Sequence, residues 1–311
     1  LSDTLNRRIR RIDAQGIITT IAGTGALGFS GDGGPALQAM INDPFAIAVD
    51  PQGNVVFADT SNHRLRKITF SGGGAAPVLT AAGVTNAASF RTGLVPGAIV
   101  TIFGRNFASN DIVATASGAP WPASLQGVSV DIAGFAAPVY AVVKAGAAEQ
   151  VSIQVPFELA GRNSASVTLR GPGGASNAVD VPVLGAQPGL FLIDGSNGAF
   201  LHGATNAVIS PGSPAAKGEV IVLYCTGLGP VTNQPPTGSL SSLAVLSEAL
   251  VRPKVTIGGF SGDVAFAGLA PGFIGLYQIN VTVPAAVASG SVDISVESNG
   301  ITSNTAKLAV R

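Results

Sequence analysis

The chain has 311 residues, enough for two or three domains, and balances 17 basic against 17 acidic side chains. That neutrality gives no electrostatic pull on nucleic acid or an anionic membrane, and no apolar run approaches the ~20 residues needed to cross a bilayer. With 41 Gly, 20 Pro and only 11% charged residues, the palette is one of short strands and tight turns, so an all-β protein is expected.

The chain opens on Leu1 rather than Met and carries no signal-peptide pattern. It reads as the product of a longer, exported precursor. "SDTLNRRIRRI" from Ser2 and "ADTSNHRLRKI" from Ala58 repeat one motif, Asp-Thr-x-Asn ahead of a basic, aliphatic strand, 56 positions apart. Asp3 and Asp59 are placed to accept hydrogen bonds, and Asn6 and Asn62 suit turns. Between the copies, strands are predicted at 45–49, 54–58 and 63–69, with a turn at Asp50–Gly53. "GIITTIAG" and "APVLTAAG" (76–83) each follow a motif copy, which makes about one and a half four-stranded units.

Within "GIITTIAGTGALGFSGDGG" (16–34), Gly23, Gly25 and Gly28 match a dinucleotide-binding fingerprint. That chemistry needs a helix straight after the third glycine, to present its N-terminus to the pyrophosphate. Helix breakers follow instead, and the only helix-like piece, Pro35 to Ile41, is short and late. A shaping role in a loop is the better reading.

Residues 1–83 resemble the NHL-repeat family of β-propellers. The matching residues are Pro44 to Asp50, Gly53-Asn54, Ala58-Asp59-Thr60 and Asn62-His63-Arg64. The resemblance implies partial propeller blades, with the glycine-rich stretch as an inter-blade insert. A propeller hides its edges by closing a ring, and this segment supplies too few strands to close one. Its edge and apolar faces should therefore meet a partner. The residues expected to contact another copy, or the rest of the chain, are Ile9, Ile12, Ile17, Ile18 and Ile21.

From 84 onward the chain duplicates. "EQVSIQVPFELAG" (149–161) matches "YQINVTVPAAVAS" (277–289) at an offset of 128, and Ser176-Asn177 matches Ser303-Asn304. Short strands parted by Gly, Pro and Asn predict two β-sandwiches, at 84–184 and 185–311, joined near "LGAQPGLF". This region resembles the Solibacter-type C-terminal domain family of large secreted bacterial proteins. Leu223 to Gly229, "PGFIGLYQINVTVP" and the closing "GITSNTAKLAV" carry the resemblance. The halves also look like transcription-factor-type immunoglobulin (IPT/TIG-like) modules. The fold expected for the whole chain is thus partial propeller blades followed by two tandem immunoglobulin-like sandwiches. The setting implied is extracellular or cell-surface.

The sequence offers little chemistry. Cys225, the single cysteine, sits in a strand-like run and reads as a buried, inert thiol. His63 stands where the first motif copy has Arg7, and His202 lies in a turn-rich stretch. No G-x-S-x-G elbow supports a serine triad, no ligand spacing supports zinc, and the carboxylates Asp32, Asp43, Asp50 and Asp59 read as turn caps. Trp121, between prolines, could stack on a sugar. No catalytic, metal or cofactor site is therefore expected. Two functions compete: a non-enzymatic structural protein that self-associates, as a filament or surface-layer subunit, by edge pairing or strand donation; and a binding module of a larger secreted protein, recognising carbohydrate or a surface partner.

Overall fold

A computed structural model describes residues 1–12, 16–50, 54–70 and 75–311. The turn expected at Asp50–Gly53 lies largely outside them. The chain forms two compact units, Leu1–Ala75 and Ala76–Arg311.

In the first unit, β1 (Ser2–Asp3), β2 (Arg8–Ile12) and β3 (Ile18–Ala22) make one antiparallel sheet, and β4 (Pro44–Val49), β5 (Val55–Asp59) and β6 (Arg64–Ile68) another. Each has three strands among the described residues, where a complete propeller blade has four. Ile9, Ala22, Ile41, Val55, Phe57 and Ile68 form a small core. The repeated motif is a repeated hydrogen-bond unit. Asn6 Nδ2 and Arg10 Nε donate to the Asp3 carboxylate at 2.8 and 3.0 Å. Asn62 Nδ2 and Arg66 Nη1 donate to Asp59 at 2.9 and 3.1 Å. Arg7 and His63 occupy the same left-handed corner, with φ of 51° and 52°.

The expected equivalence of 76–83 with 16–23 does not hold. Those residues belong to the second unit, within β7 (Val78–Asn86), which pairs with β8 (Ile99–Arg105). The reason is local: Leu79 is buried, and Asn177 holds both its N–H and its C=O, at 2.9 and 3.0 Å. The boundary thus falls after Ala75 and not at 83.

The second unit contains two sandwich-like halves. In the first half, one sheet runs β7-β8-β14-β13-β9, with β9 Ile112–Thr115, β13 Val139–Ala145 and β14 Ala148–Gln154. Facing it are β10 (Ser124–Leu125), β11 (Val128–Ile132), β12 (Phe135–Ala137), β15 (Ser164–Gly171), β16 (Gly174–Ala175) and β17 (Val179–Pro182). Strict alternation builds the layer between them. Val151 and Ile153 of β14 point inward while Gln150 and Ser152 point out, as period-two side chains must.

The second half comprises β18 (Gly189–Leu190), β19 (Phe200–His202), β20 (Val220–Thr226), β21 (Lys254–Ile257), β22 (Phe260–Leu269), β23 (Tyr277–Thr282), β24 (Gly290–Ser298), β25 (Ile301–Thr302) and β26 (Ala306–Val310). Its ladder repeats that of the first half. Val142 pairs with Val151 as Ala267 pairs with Ile279. Val155 exchanges backbone bonds with Gly97 and Ala98 as Val283 does with Gly218 and Glu219. Asn304 holds Leu190 as Asn177 holds Leu79. A bulge between Val139 and Ala141 recurs between Val264 and Phe266.

A buried polar seam joins the halves. Asn86 Nδ2 donates to the Gln187 carbonyl at 2.8 Å. The Thr226 hydroxyl accepts the Ile99 N–H at 2.9 Å and donates to the Gly275 carbonyl at 3.1 Å. Gln154 Oε1 accepts the Gly238 N–H at 2.6 Å. The Phe157 ring, from the first half, is buried in the core of the second.

Candidate binding site

The outer face of strands β8, β14 and β13 forms the floor of a cleft of about 840 Å³, and loops of the second half wall it. Thr101 of β8 and Gln150 and Ser152 of β14 are the polar floor; Phe191, Leu240 and Phe273 come from the other half. The bulge in β13 puts Tyr140 on this face, since an extra residue re-aims the side chain at that point. Trp121, the single tryptophan of the chain, lies against Tyr140 with ring centroids 4.9 Å apart and planes 33° apart. Its loop is fastened on both sides: the Trp121 N–H donates to the Gly238 carbonyl at 2.9 Å, and the Val139 N–H to that of Pro122 at 2.7 Å. Phe90 stands at the far side, 6.2 Å from Phe103, and is 62% exposed.

Among the described residues, no Asp, Glu, Lys, Arg or His lines the cleft. The Gln150 side chain has no hydrogen-bond partner among the described residues. The floor strands β8 and β14 are paired on both sides, so the cleft offers no open backbone edge. What it presents is ring faces, a few hydroxyls and one amide. Trp121 was visible in the sequence as a lone ring, but its partner Tyr140 was not. The two are brought together by a bulge and a loop, which no local pattern signals.

The residues expected to self-associate are divided by the structure. Ile9 is fully buried in the core of its own unit, and Ile21 packs half-buried against that core, so neither is available as contact surface. Alternation explains this: Ile9 faces Phe57 and Ile68, and the strand turns its other side outward. Ile12, Ile17 and Ile18 are exposed, and Ile12 pairs with Ile18 across β2 and β3. The structure adds Phe45, Ile47 and Val49 of β4, also exposed.

The glycine-rich loop is no phosphate cradle. Its carbonyls are the groups engaged: Arg8 donates to Thr24, Asn62 to Gly28 and Arg66 to Ser30. A phosphate would need N–H donors instead. Gly25 has φ 89°, and a Cβ there would meet the Arg8 guanidinium at 2.8 Å, which accounts for that glycine. Only a 3₁₀ turn, Ala36–Gln38, follows.

Cys225 is fully buried, and burial pushes its thiol up, away from the reactive thiolate. His202 sits among Ser213 and Glu219: Nδ1 is 2.6 Å from Glu219 Oε1, and Nε2 is 3.1 Å from Ser213 Oγ. The order is that of a nucleophile, base and acid. Nε2 is also 3.1 Å from the Ser213 carbonyl. With Nδ1–H given to Glu219, Nε2 of a neutral ring accepts from the Ser213 hydroxyl and donates to that carbonyl only when the ring carries both protons. The Ser213 N–H is engaged by the Ser210 carbonyl and is not placed as an oxyanion donor. The trio reads as a clasp on the 210–219 loop. Among the described residues, no group of three His, Cys, Asp or Glu side chains is arranged to hold a metal, and no helix is long and apolar enough to cross a membrane.

No family model matches the chain, and no curated protein does. Among solved structures it is similar to SGBP-B of the Bacteroides ovatus mixed-linkage glucan utilization locus, in complex with a mixed-linkage heptasaccharide. The two are 12% identical, 83% of this chain and 51% of that one are covered, and the TM-score is 0.29. The surface layer protein SbsC, domains 4–9, is 17% identical over 97% of this chain and 41% of that one, TM-score 0.22. The I9-I11 tandem of titin is 12% identical over 84% and 75%, TM-score 0.20. The chain spans about half the length of the SGBP-B structures it matches. Likeness at these scores carries no argument; the all-β, sandwich-type assignment rests on the sheets themselves.

Proposed function

We propose that this chain is a non-enzymatic, extracellular binding module that takes a saccharide in the cleft between its two sandwich halves. The observation that carries the reading is the Trp121–Tyr140 pair beside the Thr101, Gln150 and Ser152 floor. The C–H face of a sugar ring packs on the negative face of an aromatic ring, and hydroxyls and amides fix its orientation. The lack of a carboxylate pair or a nucleophile–base pair in the cleft argues for holding a sugar and against cleaving it. The NHL-like and Solibacter-like segments support a secreted setting. Titration of a panel of soluble glycans, followed by Trp121 fluorescence, tests the reading. A saturable change that Trp121→Phe weakens and Tyr140→Ala abolishes is expected by calorimetry; a panel without any binder sinks it.

Self-association is the second reading, favoured by the exposed Ile12, Ile18, Phe45, Ile47 and Val49 of the first unit. Apolar strand faces of this kind mark interaction surfaces. Sedimentation over a wide concentration range tests it: Phe45→Lys with Val49→Lys should leave monomers where the parent chain assembles.

A further inference from the structure

Resting on the saccharide reading, we infer a narrower ligand: a neutral oligosaccharide of more than one ring, lying across the strands and held at one end by the Trp121–Tyr140 pair and at the other by Phe90. Three observations lead there. The first is charge. Among the described residues, no Asp, Glu, Lys, Arg or His lines the cleft, so a uronate, sulfate or amino sugar would lose hydration without gaining a counter-charge there.

The second is length. The Trp121–Tyr140 pair stands on the β13 side of the floor and Phe90 on the β7–β8 side. Two to three strand spacings separate them, ~10–14 Å. One sugar ring cannot reach both, and a short chain can. The third is what the floor offers midway. The Gln150 amide, without a protein partner among the described residues, and the Thr101 and Ser152 hydroxyls, 3.3 Å from each other, lie between Tyr140 and Phe90. They suit the ring hydroxyls of a bridging unit. A peptide fits less well: with β8 and β14 paired on both sides there is no strand edge for it to extend.

The experiment uses the whole chain and a series of neutral β- and α-linked glucose oligomers from one to six units, with an oligogalacturonate as the charged control. Affinity should rise stepwise from one to about three units and then level, and it should not change with salt. Trp121→Ala should weaken every length. Phe90→Ala should weaken only the trimer and longer, by about tenfold, the scale of one stacked ring. Tight binding of the monomer equal to that of the hexamer, preference for the galacturonate, or a Phe90→Ala variant indistinguishable from the parent on the hexamer would each overturn the inference while leaving a saccharide site intact. If neither the neutral series nor the charged control binds the parent chain, the saccharide reading itself fails. Circular dichroism of both variants separates loss of a contact from loss of fold.

Discussion

The two halves of the second unit share one ladder and present different outer faces. At the bulge the first half has Tyr140 and the second Ala265. On the strand beside it, Gln150 has no partner among the described residues, whereas Gln278, its counterpart, donates to Asn280 at 2.8 Å. At the head of that strand the first half buries Glu149 and the second buries Tyr277, whose hydroxyl donates to the Gly229 carbonyl at 2.7 Å. Duplication thus preserved what the hydrogen-bond ladder requires. The outer faces, which no backbone partner constrains, differ: that of the first half is the floor of the cleft, and the second half contributes loops to it instead.

The sharpest way to break the comparison is through the cores. Val151→Ala and Ile279→Ala remove equivalent, fully buried side chains, and each should cost about 2–4 kcal/mol in denaturant unfolding. A negligible loss in one half would show that its sandwich is not held by the shared layer. Next come the asparagine clamps. Asn177→Ala and Asn304→Ala leave the buried N–H and C=O of Leu79 or Leu190 unmatched, for ~1–3 kcal/mol each. Unequal values would mean that the clamps are equivalent in geometry only.

Acid should act on the first half through one carboxylate. Burial works to raise the Glu149 carboxyl, but the Phe107 N–H, the Lys144 ammonium and the Ala108 N–H outweigh it and hold it below the ordinary glutamate range. A depressed carboxylate contributes stability that is present above its unfolded value and lost as pH falls through its native one. Unfolding of the first half should therefore become easier in acid, and Glu149→Gln should flatten that dependence. Hydrogen exchange resolved by half would show it; an acid dependence of the first half left unchanged in Glu149→Gln would count against it. The smallest effect expected is none: a fluorophosphonate should leave Ser213 unlabelled, by mass spectrometry, because its own N–H is engaged by Ser210 and is not placed as an oxyanion donor. Labelling lost in His202→Ala would reverse the non-enzymatic reading.

Much of the scaffold was legible because it is periodic. The "VSIQVP" and "INVTVP" strands, the Asp-Thr-x-Asn turns and the Ser-Asn pair each announce themselves within a few residues. The strand at 76–83 misled because its β-branched spelling suits a blade edge as well as a sandwich edge. Only Asn177, far along the chain, decides between them. Ile9 misled for a related reason, since an apolar strand does not say which of its faces has a neighbour. The cleft was illegible beyond Trp121, because it draws Phe90, Tyr140, Phe191 and Phe273 from separate loops and strands.

The seam through Thr226 has a consequence for how a ligand would be received. One hydroxyl ties the floor, at the Ile99 N–H, to the wall, at the Gly275 carbonyl. A Cβ on Gly275, with φ 65°, would meet Ile99 Cγ1 at 2.9 Å, so the wall already rests at its distance of closest approach. A cleft built this way is preorganised. It has little closing motion to make, and the entropic cost of binding would fall on the ligand rather than on the protein. Thr226→Val, which keeps the shape and removes both hydrogen bonds, would transfer part of that cost back to the protein and show itself as faster release.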